Sequence, residues 1–113
     1  MKIISEKLKL SELNEMAKNM FGNLVKAVVD VEKKIMAIDG ELHSDEETLL
    51  IQGGSIQKNL WGINIYPEAN KENFIEFDSM INIRPSIGNK TRGVDDEVVR
   101  KLIIQIVDDL IIK

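Results

Sequence analysis

From about residue 95 to 112 the chain places Val98, Val99, Leu102, Ile103, Ile106, Val107, Leu110 and Ile111 at helical spacing. Steps of three and four residues put them on one side, as a continuous apolar stripe. A helix of this length is marginal in water by itself, and tertiary packing supplies most of its stability. The rest of the chain must therefore provide an apolar surface to cover it. Asp95 or Asp96 stands where an N-cap is required. Ile104 and Ile112 widen the apolar surface beyond one face. That pattern fits deep packing or a self-association surface, so a homo-oligomer is one partner reading.

The covering surface reads as strands. Val25, Ala27, Val29 and Val31 alternate with Lys26, Asp30 and Glu32, and Ile35-Met36-Ala37-Ile38 follows the charged turn Glu32-Lys33-Lys34. Leu60–Tyr66 and Phe74–Arg84 are two further strands, separated by a polar loop containing Pro67. Their closeness in sequence favours antiparallel pairing. A first helix is expected over about 12–21, with Ser11 as cap, Leu13, Met16, Ala17, Met20 and Phe21 on its apolar side, and Gly22 as its stop. Ser44-Asp45-Glu46-Glu47 has the form of a capping box, in which the Ser44 hydroxyl and the Glu47 carboxylate satisfy each other's backbone N–H. It predicts a short helix over about 45–51, closed by Gly53-Gly54, although Thr48–Gln52 also fits a strand. The fold class is α+β, with a mainly antiparallel sheet, two longer helices and this short one.

At 113 residues the chain is expected to form one domain spanning 1–113. Roughly two-thirds of the unfolded surface is buried at such a size, and two halves would each be too small without staples. The absence of cysteine removes disulfides, thiolate zinc sites, iron–sulfur clusters and thiol nucleophiles. No cofactor is indicated. A net charge of −4 argues against broad nucleic-acid binding, which needs basic surface to displace counterions. No apolar run approaches the ~20 residues of a membrane span, and the N-terminal residues lack the apolar run of a signal peptide. No membrane association is expected, and a cytoplasmic location is the default.

Four ordered stretches, Val28-Val29-Asp30-Val31-Glu32-Lys33, Gly40-Glu41-Leu42-His43-Ser44-Asp45-Glu46-Glu47, Leu60-Trp61-Gly62-Ile63-Asn64-Ile65-Tyr66-Pro67 and Ile81-Asn82-Ile83-Arg84-Pro85-Ser86, occur together. The set resembles an uncharacterised family of short prokaryotic proteins, a domain of unknown function. The resemblance spans nearly the whole chain and implies a stand-alone single-domain protein. It brings no catalytic role and no ligand.

Chemistry has three candidate locations. Alternation in Phe74–Arg84 puts Ile75, Phe77, Ile81 and Ile83 on one face and Glu76, Asp78, Asn82 and Arg84 on the other. Pairing with Leu60–Tyr66 then gathers Asn64, Tyr66, Asn82 and Arg84 on one surface, either a solvated sheet face or a ligand platform. The only histidine, His43, is flanked by Glu41 and Asp45. In an extended segment all three point the same way, which suits a carboxylate-oriented base; one His without Cys makes a poor transition-metal site, and no metal is expected. The loop from Arg84 to Gly93 carries Arg84, Lys90 and Arg92 among Gly88, Asn89 and Gly93. Backbone N–H groups and guanidinium groups of this kind suit an anion, yet the glycine spacing matches no phosphate-loop fingerprint. The same cations could pair internally with the carboxylates of 41–47 or with Asp95 and Asp96. No serine sits in a nucleophile-elbow context. The sequence assigns no reaction. It points to a small anionic ligand held by Asn64, Asn82, Arg84, Lys90 and Arg92, the alternative being an assembly protein that uses the final helix or a sheet edge.

Overall fold

A computed structural model describes all 113 residues. In chain order the elements are β1 (Lys2–Ile4), β2 (Leu8–Lys9), α1 (Leu10–Asn19), β3 (Val25–Asp30), β4 (Ile35–Ile38), α2 (His43–Gln52), β5 (Leu60–Ile65), β6 (Ile75–Glu76), α3 (Glu97–Leu110) and β7 (Ile111–Ile112). Five strands form an antiparallel sheet in the order β1-β4-β3-β5-β6. β2 and β7 make a separate parallel pair that ties the end of the chain to the segment before α1.

The β3–β4 turn works without glycine at its tip because Asp30 substitutes for it. Its Oδ1 accepts from the N–H of Glu32 and of Lys33, each at 2.9 Å, and Lys34 takes the left-handed conformation at φ 58°. β3 pairs on its other side with β5, matching Val25–Asp30 against Ile65–Leu60. The alternation in these strands then fixes the layers. Val25, Ala27 and Val29 with Ile63, Ile65, Met36 and Ile38 form one face, against which Leu13 and Ala17 of α1 and Ile103, Ile106, Val107 and Leu110 of α3 pack. Val28, Ala37 and Leu60 point the opposite way and meet Leu50 of α2 in a smaller second core. Helices therefore lie on both faces, and the sheet face expected to be open is partly roofed by α2, which carries the chain from β4 across β3 to β5.

The helices differ from expectation mainly at their ends. α1 starts at Leu10, with Lys9 in the cap position, so Ser11 lies inside the helix and caps nothing. It ends at Asn19, where Gly22 at φ 95° donates its N–H to Ala17, and Met20 and Phe21 are left exposed. α2 begins two residues before the expected start; Leu42 is its N-cap residue, no side chain caps it, and the capping box does not form. Ser44 is inside the helix, and Glu47 is drawn away to Arg84. Thr48–Gln52 is helical. In α3, Asp96 is the cap, accepting from the N–H of Val98 and of Val99. The helix stops at Leu110 because Ile111 and Ile112 pair with β2. Of the stripe, Ile103, Ile106, Val107, Leu110 and Ile111 are buried, Val99 and Leu102 are half-buried, and Val98 is exposed together with Ile104 and Ile112.

The largest departure concerns Phe74–Arg84. Only Ile75–Glu76 pairs as a strand, and Met80–Asn82 and Pro85–Ile87 are single 3-10 turns. The reason lies across the sheet at Gly62. A Cβ placed there would come within 2.6 Å of Ser79, so the chain crosses tightly over a position that only glycine leaves open. Asn82 then takes over the ladder that β6 abandons. Its Oδ1 accepts from the Gly62 N–H at 2.8 Å, and its Nδ2 donates to the Gly62 carbonyl at 2.9 Å.

Candidate functional site

The segment after β6 is ordered by asparagine side chains. Asn82 is fully buried, and beyond its pairing with Gly62 it also donates to the Arg92 carbonyl at 2.9 Å. Asn89 donates to the carbonyls of Asn82, Thr91 and Gly93 and accepts from the Asp95 N–H. Asn89 and Arg84 also exchange backbone hydrogen bonds across the loop, with Gly88 in the left-handed conformation. The Lys90 N–H and the Thr91 hydroxyl both donate to Asp95, and these bonds hold its carboxyl below the usual range. The loop's polar groups thus point largely at the loop itself.

Arg84 follows the internal-pairing alternative. Its Nη2 lies 3.1 Å from Glu47 of α2, both side chains being largely shielded, and its guanidinium stacks 5.2 Å from the Trp61 ring centroid. Lys90 is exposed. Glu41 and Asp45 are exposed as well, because Asp45 belongs to the first turn of α2 and the extended geometry that would align them with His43 is absent. Of the sequence candidates, the fold brings three together: His43, Asn64 and Arg92 line one cleft of about 210 Å³.

This cleft sits where the first turn of α2 meets the start of β3 and the end of β5. Lys26 and Asn64 are register partners on adjacent strands, so their side chains emerge side by side. His43, the first residue of α2, lies over them, and the Asp78–Ile81 turn and Arg92 form the opposite wall. A ring nitrogen of His43, Nε2, is 2.8 Å from the Ile63 carbonyl oxygen. Since a carbonyl only accepts, Nε2 carries the hydrogen, and Nδ1 is left as the lone-pair nitrogen of the neutral ring. Burial lowers the His43 pKa, with Lys26 adding to the effect and the Ile63 carbonyl, Asp78 and Asn64 opposing it. Arg92 donates from Nε to Asp78 at 2.6 Å. The Asn64 amide nitrogen donates to Glu76 at 2.8 Å, which fixes the orientation of the amide. Its Oδ1 is buried and has no donor while the His43 ring is neutral; a proton on His43 is the one donor of the protein within its reach. Tyr66 donates to the same Glu76 oxygen at 3.0 Å and lines a different pocket.

Sequence reasoning missed Lys26 and Asp78 as parts of this constellation. Lys26 was visible as the polar position in the alternation of β3, but its alignment with Asn64 depends on the β3–β5 register. No group of three or more His, Asp or Glu side chains is arranged to hold a metal ion, and no helix is long and apolar enough to cross a membrane.

A family model described as Protein of unknown function (DUF5674) matches residues 2–110. The chain belongs to that family. The match includes every element that builds the cleft, from β3 through Arg92. No curated protein and no solved structure matches the chain. Family membership therefore supplies no reaction, and a functional reading has to come from the cleft.

Proposed function

We propose that the protein binds a small anionic ligand in the cleft formed by Lys26, His43, Asn64, Asp78 and Arg92. The observation that carries the reading is the convergence of cationic groups and free backbone donors at one concave site. Lys26 forms no salt bridge there, and its ammonium faces the Phe21 ring at 5.2 Å. Arg92 keeps guanidinium donors beyond the one used on Asp78. No side chain caps α2; the Asp45 and Glu46 N–H groups bond the Leu42 carbonyl, which leaves those of His43 and Ser44 for an anion, with Asp45 in the same turn opposing it. The cleft volume, about 210 Å³, lies below the common range for drug-sized ligands, which restricts the occupant to a few heavy atoms beyond its charged group.

A thermal-shift series with phosphate, acetate, propionate and methyl phosphate tests the reading. At least one of these should raise the melting temperature saturably, as mass action requires of a ligand that binds only the folded state. Lys26→Ala and Arg92→Ala should each weaken that response at least severalfold. Equal responses in the wild type and both variants would place any anion effect elsewhere on the surface.

The assembly alternative has less support. Ile103, Ile106, Val107 and Leu110 are buried against the chain's own sheet. Of the final stripe and its apolar flank, Val98, Ile104 and Ile112 are exposed.

A further inference from the structure

We propose that the ligand of this cleft carries, beside its anionic group, a hydroxyl or amino hydrogen-bond donor, and that Asn64 and His43 select for it. This rests on the anion reading above and narrows it. The decisive group is the Asn64 side chain, which is only 8% exposed and whose Oδ1 has no donor as long as the His43 ring is neutral. The amide cannot be turned round to remove the problem, because its nitrogen is committed to the Glu76 carboxylate. An acceptor oxygen buried without a donor is costly and is normally satisfied by something. A carboxylate or a fully ionised phosphate has no hydrogen to donate and would instead oppose the oxygen with like partial charge.

His43 points to the same requirement. With Nε2–H held by the Ile63 carbonyl, the neutral ring presents a second acceptor, Nδ1. The cleft is thus divided by chemistry. Lys26, Arg92 and the α2 N–H groups favour negative charge, while Asn64 Oδ1 and the free His43 nitrogen favour an O–H or N–H. A short hydroxy acid or a phosphorylated polyol has both features, and its unsubstituted parent has only one.

Matched ligands test this on the unaltered protein. Lactate is compared with propionate, and glycerol phosphate with propyl phosphate, by calorimetry and by the imidazole nitrogen resonances. Those resonances are unambiguous because His43 is the only histidine. In at least one pair the hydroxylated member should bind roughly tenfold tighter or better, the usual scale for satisfying a buried acceptor. It should also shift Nδ1 more than the parent does. Asn64→Ala should abolish the discrimination between the members of each pair, and Asn64→Ser serves as a second variant if the alanine form is unstable. If each parent binds as tightly as its hydroxylated partner, the donor inference is overturned and the anion reading stands. If none of the four binds, both readings fall.

Discussion

Glu46 is fully buried in the first turn of α2. Its Oε2 accepts from the Gly40 N–H at 2.9 Å, and its Oε1 has no partner. Burial pushes its pKa up to about 9, Asp39 adding to the effect and the Gly40 bond and Lys26 opposing it. In the unfolded chain the same carboxyl titrates near 4.5. Folding therefore takes up a proton between these values, and the stability contributed by this group falls as pH rises through that window. His43 acts with the opposite sign. Its lowered pKa makes stability fall as pH drops below the ordinary histidine value of 6.5. Glu46→Gln retains the shape and the acceptor for Gly40 while removing the ionisation. It should match the wild type within about 1 kcal/mol at pH 5 and exceed it by on the order of 2–3 kcal/mol at pH 8. His43 is common to both proteins, so its contribution cancels in the comparison. Urea denaturation at the two pH values checks this, and a difference independent of pH would show that Glu46 is ionised in the fold.

At the scale of elements, the segment from Asp78 to Gly93 decides the shape of the cleft, and its conformation depends on contacts far away in sequence. The alternation of Ile75, Phe77, Ile81 and Ile83 is as regular as that of β3, yet only two residues pair as a strand. The signal that competes with it is one glycine on another strand. Gly62→Ala would force the Ser79 turn outwards and strain the Asn82 pairing. A loss of about 1–3 kcal/mol is expected, with the largest amide chemical-shift changes at residues 79–82 and not along β3. Wild-type stability in this variant would mean that the turn has room to move and does not depend on Gly62. The same reasoning explains why Asn82, Arg84 and Lys90 are placed away from the cleft. Asparagine, arginine and lysine in a loop look alike whether they face a ligand or the loop's own carbonyls, and only the tertiary partners, Gly62 for Asn82 and Glu47 for Arg84, distinguish the cases.

Across the whole molecule the two faces of the sheet are held with unequal strength. The face carrying α1 and α3 contributes to a cluster of 19 buried residues, whereas Leu50 of α2 belongs to one of four. Local opening follows the amount of buried apolar contact, so α2 is expected to exchange its amide hydrogens at lower free energy than α3. Leu50→Ala should cost about 2–5 kcal/mol and weaken anion binding, although Leu50 does not line the cleft, because α2 positions His43. Native-state hydrogen exchange tests the ranking. Equal protection of α2 and α3 would mean that the layers open as one unit.

Spacing along the chain was enough for the α+β class, for strands beginning at Val25, Ile35 and Leu60, and for the final helix, with its cap narrowed to Asp95 or Asp96. These are set by local periodicity and capping chemistry, which act over a few residues. It also marked His43, Asn64 and Arg92 as residues worth watching. Folding in three dimensions was needed to bring these three into one cleft with Lys26 and to leave Glu41, Asp45, Asn82, Arg84 and Lys90 outside it. The physical reason is that a cleft is made by register and crossing. Lys26 meets Asn64 through the β3–β5 ladder, His43 arrives on a helix carried over the sheet, and Arg92 arrives on a segment pinned at Gly62. None of those distances is encoded in spacing along the chain.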